Sequence, residues 1–484
     1  MKIEDREFFA RVKLAIFTNP FSEERAAVNQ ELTRVTADEA SSSKTIDILT
    51  EIVARKIEKI RTDLKGNLKA LSTEDLTLIR YGMLFHIFHQ FAELFDQLIE
   101  EQILAGEAPC KVPFAADALA KLSEYGFQKK EAVRFFAIFF QMRRAFYFIN
   151  KIVGTSRSMK ELRRNLWNNI FTHDIGLYDQ YLWNRMEDFS TMLLGETGTG
   201  KGMAAAAIGR SGFIPFNLTK NCFSENFCRT FISINLSQYP EQLLESELFG
   251  HKKGSFTGAI DTHVGTFSRC SPCGAIFLDE IGEVSEQVQI KLLQVLQERT
   301  FCQVGSHQTE RFSGRVIAAT NQNINRLRHH GSFRDDFYYR LCSDVIEIPP
   351  LRQRLTESPT ELDEILMYII CKIIGKPSPD LASEIKSIII KDVPKDYPWT
   401  GNVRELEQCI RRILIKKNYE GGTQISPISD TDKITQEMEA GAITAQQLLS
   451  SYCKNLYNKF GTYEAVAQRT ELDRRTVKKY IDQN

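Results

Sequence analysis

Hydrophobic positions change their period as the chain proceeds. Up to about residue 160, apolar side chains recur every three to four residues, giving amphipathic helices near 44–64, 73–101 and 129–153 with no strand between them. Beyond Leu182, short apolar runs at 191–194, 231–234, 275–278, 316–319 and 345–348 alternate with helical stretches. Runs so short and so apolar predict a parallel sheet buried between helices. After Pro349-Pro350 the pattern is helical again to about residue 417, as a small lid would be. Residues 418–443, with Gly421-Gly422, Pro427 and Asp430-Thr431-Asp432, have linker composition. The expected divisions are a helical N-terminal region (1–160), an α/β segment (164–350), a helical lid (351–417), a linker (418–443) and a short helical unit (444–484).

Composition narrows the class. A chain of 484 residues exceeds one ordinary core. Lys plus Arg equals Asp plus Glu at 62 each, so any contact with nucleic acid must come from a local patch. The 10 cysteines are scattered and expected to be reduced, and Cys270 and Cys273 lack a second pair at zinc spacing. The first residues lack a signal-peptide core, and Arg134, Gln141, Arg143 and Arg144 interrupt the most apolar helix, so no membrane span and a cytoplasmic protein are expected. His86, His89 and Glu93 share a helical face, read as a hydrogen-bonded cluster in preference to a metal site. Phe135, Phe136, Phe139, Phe140, Phe146, Tyr147 and Phe148 read as core.

Candidate chemistry begins after the first apolar run. Gly195, Glu196, Thr197, Gly198, Thr199, Gly200, Lys201 and Gly202 lead from a strand into an alanine-rich helix. Glycines let backbone N–H groups curl round phosphate oxygens, the helix N-terminus adds its dipole, and Lys201 reaches the terminal phosphates. The cofactors expected are ATP and Mg2+. Gly202 stands where a hydroxyl would ligate Mg2+. Asp279 and Glu280 close a later strand: Asp279 is assigned the metal and Glu280 the attacking water. Asn235 and Thr320-Asn321 end two further strands that face the same crevice, placing Asn321 to sense the γ-phosphate and Asn235 to hold Glu280; a plain strand-end cap is the competing reading.

Gly254, Ser255, Phe256, Thr257, Gly258 and Ala259 form a glycine-bracketed Phe-Thr that ATP chemistry does not require. The hexapeptide is either an exposed loop tip or a turn whose phenylalanine folds back on its own domain.

These motifs, in this order from about residue 164 to 417, resemble the AAA+ domain of bacterial sigma-54-dependent activators, the NtrC-like enhancer-binding proteins. Glu245-Ser-Glu-Leu-Phe-Gly-His251 leads into GSFTGA, Phe277-Leu-Asp-Glu-Ile-Gly282 carries the acidic pair, and Phe333-Arg-Asp-Asp-Phe-Tyr-Tyr-Arg340 precedes Pro349-Pro-Leu-Arg-Gln-Arg354. Tyr397-Pro-Trp-Thr-Gly-Asn-Val-Arg404-Glu-Leu406 matches the lid motif. The resemblance implies that Arg334 and Arg340 act in trans on a neighbouring subunit's nucleotide, that Arg404 reads the nucleotide from the lid, and that GSFTGA engages sigma-54. It also implies a homo-oligomeric ring, a hexamer in the family, acting on the sigma-54 RNA polymerase holoenzyme. The family more often has Ala at Ser255 and Glu at Gly202, and the segment 212–229 is longer than its usual connection.

Near the C-terminus, two short helical stretches flank a turn at 470–473, and the second carries Arg474, Arg475, Thr476, Lys478 and Lys479. This fits a helix-turn-helix on double-stranded DNA, an upstream enhancer site, and resembles the family's Fis-like domain. The N-terminal region lacks the pattern of a phosphorylated receiver. The function expected is an ATP-hydrolysing transcription activator. The competing classes are a AAA+ remodelling motor not acting on sigma-54 and a DNA-binding repressor with a vestigial ATPase.

Overall fold

The computed structural model of the chain describes residues 1–34, 42–256, 258–419, 438 and 443–482. The N-terminal region folds as helices α1 (Ile3–Phe17), α2 (Glu23–Thr33), α3 (Ser42–Asp63), α4 (Thr73–Gln90), α5 (Ala92–Ala105), α6 (Ala115–Glu124), α7 (Lys129–Asn150) and α8 (Arg157–Phe171). The apolar stretch 73–101 is two helices, because Phe91 leaves the helical conformation at φ −104°, ψ 8°. Ser72 caps the start of α4 by accepting the Asp75 amide.

The strands are β1 (Thr191–Leu194), β2 (Phe216–Asn217), β3 (Cys222–Phe223), β4 (Phe231–Asn235), β5 (Ala275–Asp279), β6 (Thr300–Cys302), β7 (Thr309–Arg311), β8 (Arg315–Thr320) and β9 (Asp344–Glu347). Five of them form one sheet in the order β4-β5-β8-β1-β9, every pair parallel. Its two-residue alternation splits two cores. Met192, Ile276, Leu278, Val316 and Ala318 face one, while Leu193, Ala275, Phe277, Ile317 and Ala319 face the other. Burial on both faces is why the central β1, β5 and β8 read as unbroken apolar runs, whereas the edge strands β4 and β9 are more exposed.

The long segment 212–229 has a physical cause. It contains the antiparallel β2-β3 hairpin, in which Phe216 pairs with Phe223. Ile214, Phe216, Phe223 and Phe227 are buried in the same core as the N-terminal helices. The Phe223 ring stacks on Phe140 of α7 at 4.2 Å, and Phe216 meets Phe136 edge-on at 4.9 Å. The turn before the hairpin is gripped from α7 as well: Gln141 Nε2 donates to the Ser211 carbonyl at 2.9 Å, and Arg144 donates to the carbonyls of Arg210 at 2.6 Å and Gly212 at 2.7 Å.

By its contacts the chain divides into one compact unit of residues 1–386 and 396–410 and a second of 387–395 and 411–484. The first holds the N-terminal helices, the sheet and part of the lid. Within the second, helices Ala445–Phe460, Tyr463–Thr470 and Arg474–Asp482 close on Cys453, Val466 and Val477. Most of the expected linker 418–443 lies outside the described residues.

Truncating Phe223 to Ala should cost about 3–5 kcal/mol of unfolding free energy, the usual cost of emptying a packed phenylalanine site. Denaturant midpoints would check it. A loss below about 1 kcal/mol would show that the hairpin contributes little to the core.

Candidate functional site

The crevice lies at the C-terminal ends of β1, β5 and β8, where an open parallel sheet exposes strand ends and helix N-termini together. After Leu194 the chain curls through Gly198 (φ +80°) and Gly200 (φ +106°) into the helix Lys201–Gly209. A side chain at Gly200 or Gly202 would meet nothing within 4 Å, so the cradle is open on the side a ligand would fill. Lys201 is buried, and its Nζ donates to the loop's own carbonyls, Gly195 O at 2.9 Å and Glu196 O at 3.3 Å. Among the described residues it has no carboxylate partner. A buried ammonium held only by carbonyls, among free amide dipoles, fits the oxygens of a phosphate chain.

Asp279 ends β5 beside this loop. Burial raises its carboxyl above the usual carboxylate range, against opposing pulls from Lys201, the Glu280 amide and Arg404. A partly desolvated carboxylate whose pKa is still raised beside Lys201 is a donor that a divalent cation would stabilise. No group of three or more His, Cys, Asp or Glu poised for a metal occurs among the described residues, so such a cation would draw its other ligands from phosphate and water. Glu280 follows in the left-handed region at φ 57°, a conformation that costs a non-glycine residue energy and turns its side chain across the crevice mouth.

Asn321, after β8, bridges the two halves. Its Nδ2 donates to Thr197 Oγ1 at 2.8 Å, and its amide lies 3.4 Å from Glu280 Oε2. Thr320 is buried, its hydroxyl accepting the Gln322 amide at 3.1 Å. Asn235 is placed differently from the expectation. Its Oδ1 caps the next turn, accepting from Ser237 N at 3.0 Å and Ser237 Oγ at 2.8 Å, and it makes no hydrogen bond to Glu280. The competing cap describes its contacts.

Lid residues close on the phosphate loop through contacts that motif reading did not assign. Arg352 pairs with Glu196 by two bonds, 2.8 and 2.5 Å, and holds that carboxyl below the usual carboxylate range. Buried Asn402 donates to Glu196 Oε2 and to Thr197 O, each at 3.1 Å, and its Oδ1 accepts the Leu351 amide at 2.7 Å. The Val403 amide reaches Gly198 O at 3.2 Å. Arg404 sits over the loop, its Cβ 3.0 Å from where a Gly198 Cβ would lie. The available signal was Asn402 itself, an amide in a left-handed conformation (φ 52°) opening a helix.

The remaining arginines face outward. Arg340 is exposed, donates from Nε to Leu296 O at 3.0 Å and has no carboxylate partner among the described residues. Arg334 is tied to Asp336 and Glu286, which together raise its pKa.

Gly254 and Gly258 take φ +80° and +102°, and Gly254 N donates to Ala259 O at 2.8 Å, closing a tip that carries Phe256. Phe256 is 37% exposed and rests edge-on against His251 at 4.9 Å. It is therefore propped at the surface without being buried in the domain. The Ser255 hydroxyl is buried with no hydrogen-bond partner among the described residues, and Thr257 lies outside them. In the second unit, Arg474, Arg475, Lys478 and Lys479 are exposed, Thr476 is half-buried, and Val477 anchors their helix. Arg474 pairs with Glu464 at 3.0 Å.

The histidine cluster does not converge. His86 Nδ1 meets the Tyr125 hydroxyl at 2.9 Å, while His89 lies among Phe85 and Phe88. Cys270 and Cys273 are free, and burial pushes the Cys270 thiol up to about 12. No helix of the described residues is long and apolar enough to cross a membrane.

Residues 178–348 match the sigma-54 interaction domain family. The chain is 38% identical over 275 residues to the Nif-specific regulatory protein of Azotobacter vinelandii, covering 57% of this chain and 46% of that protein. It is 35% identical over 293 residues to the DNA-binding transcriptional regulator NtrC of Azospirillum brasilense, covering 60% and 53%. The chain thus spans about half the length of these curated relatives. Segment 178–348, which carries the five-stranded parallel sheet, is thus similar to the sigma-54 interaction domain that the NtrC-like motifs imply.

The Gly198→Ala change would place a Cβ 2.2 Å from Gly401 O at a left-handed φ, pushing the lid off the phosphate loop. The variant should fold and bind a fluorescent ATP analogue at least about tenfold more weakly, equal to about 1.4 kcal/mol. Unchanged affinity would show that this lid contact does not shape the nucleotide site.

Proposed function

We propose that this chain is an ATP-hydrolysing transcription activator that uses its Phe256 loop to remodel a sigma-54 promoter complex. One observation carries the reading. The same α/β unit brings together a glycine-rich loop with buried Lys201, the acidic strand end Asp279-Glu280 and a half-exposed aromatic tip that phosphate binding does not need.

In this reading the amides of 195–201 and Lys201 hold the nucleotide phosphates, and Asp279 with phosphate and water holds Mg2+, which supplies charge neutralisation at the phosphates. Glu280 orients and deprotonates the attacking water. Its link to the Asn321 amide and the Asn321–Thr197 bond give a route by which loss of the terminal phosphate moves the β8 end. Arg340, exposed and without a carboxylate partner among the described residues, serves a neighbouring subunit's nucleotide in a ring. Arg334 joins it only after leaving Asp336 and Glu286, so its contribution is tied to assembly. Arg404 reports nucleotide to the lid. The exposed basic helix Arg474–Asp482 holds the protein to upstream DNA, with Arg475, Lys478 and Lys479 free to reach phosphate or base edges.

The test is open-complex formation on a sigma-54 promoter with purified polymerase, using the full chain because residues 1–150 share their core with the hairpin after the P-loop helix. ATP should support opening and a non-hydrolysable analogue should not. Phe256→Ala should keep ATPase and DNA binding and lose opening at least roughly tenfold. Normal opening by that variant would remove the loop from the mechanism. Arg340→Ala should lose roughly a hundredfold or more in ATPase rate in the assembled state. A full rate would place the trans group elsewhere.

A further inference from the structure

The N-terminal helices enclose a cavity of about 550 Å3. Aromatic rings line it from four different helices, among them Phe17, Tyr81, Phe85, Phe139, Phe146 and Trp167. Three basic side chains reach it: Arg25, His89 and Arg143. Arg143 is neutralised by Asp96, with Nε 2.6 Å from Oδ1. Of the acids at the wall, Asp179 pairs with Arg134, while Asp47 and Glu93 are exposed.

Arg25 is different. Its Nε donates to Asn29 Oδ1 at 3.1 Å and a terminal nitrogen donates to the Ala15 carbonyl. Among the described residues it has no carboxylate partner. Burial alone pushes its pKa down to about 10, with no acid countering the shift. His89 is pushed down to about 3, first by burial and then by Arg25 and Arg143, so its ring is neutral at pH 7. An isolated cation in an apolar chamber is costly unless an anion joins it, and a guanidinium fork matches the two oxygens of a carboxylate. The volume is that of a small-molecule site, apolar walls with few polar groups.

We propose that this cavity binds a small amphipathic monocarboxylate, its carboxylate on Arg25 and its aromatic or alkyl body among the phenylalanines. The site adjoins the ATPase through one element. Helix α7 lines the cavity with Phe139 and Met142, and through Phe140 and Arg144 it meets the hairpin and the end of the P-loop helix. Binding at the site is independent of whether sigma-54 is the target.

Calorimetric titration of the full chain with 2-naphthoate and decanoate, against their neutral amides 2-naphthamide and decanamide, tests the assignment. At least one carboxylate should bind saturably, and at least about tenfold more tightly than its amide, or about 1.4 kcal/mol. Arg25→Met should erase that preference while leaving amide binding unchanged, and loss of a half-buried cation with no carboxylate partner among the described residues should leave the unfolding midpoint equal or higher. The wild-type comparison of acid with amide stands alone if the variant fails to fold. Equal affinity for acid and amide, full carboxylate affinity in Arg25→Met, or no saturable binding of either carboxylate would overturn it.

Discussion

Arg144 is the interaction on which the arrangement depends. Its side chain is fully buried on α7, between the Phe140 and Phe227 rings, and burial pushes its pKa down to about 9. Among the described residues no carboxylate answers it. Its charge is met by the Arg210 and Gly212 carbonyls, where the P-loop helix ends and its dipole is negative. A cation placed there is tolerable only while those carbonyls stay in position, so α7 and the P-loop helix constrain one another. The aromatic hairpin that follows adds apolar area to the same joint, making the N-terminal helices and the nucleotide-binding sheet one unit of structure.

A second clamp works just beyond the C-terminal end of α7. Arg354 and Glu361, both buried, form an ion pair at 2.7 Å; Glu361 accepts the Thr155 and Ser156 amides at 2.6 and 2.8 Å, and Arg354 donates to Val153 O at 2.8 Å. The chain leaving α7 is thus pinned to the first lid helices, while the neighbouring Arg352 holds Glu196 of the phosphate loop. Loop, lid and N-terminal helices meet through short polar contacts, a geometry in which a small shift at one has few places to dissipate.

Much of this was legible in the sequence because its signals are local. Short apolar runs marked the strands most plainly at the central β5, β8 and β1, since burial on both faces leaves a strand little room for polar residues. Glycines at 198 and 200 marked a curled loop because only glycine takes those φ values freely. What was not legible depended on partners distant in the chain. Nothing near Phe216 or Phe223 says that they fill a core built from residues 9–140, and nothing near Arg25 shows that it lacks an acid. Asn235 shows the opposite limit: a strand-end polar residue suits both a catalytic helper and a cap, and only the Ser237 contacts distinguish its arrangement here.

The central physical claim is that α7 joins the N-terminal helices and the α/β core of the parallel sheet into one cooperative unit. Hydrogen exchange across a denaturant series measures it directly, by following amides in 83–99, 129–150, 201–209 and 216–223. The account predicts one shared midpoint for all four. Unfolding of 83–99 and 129–150 at lower denaturant, with 201–209 still protected, would contradict it.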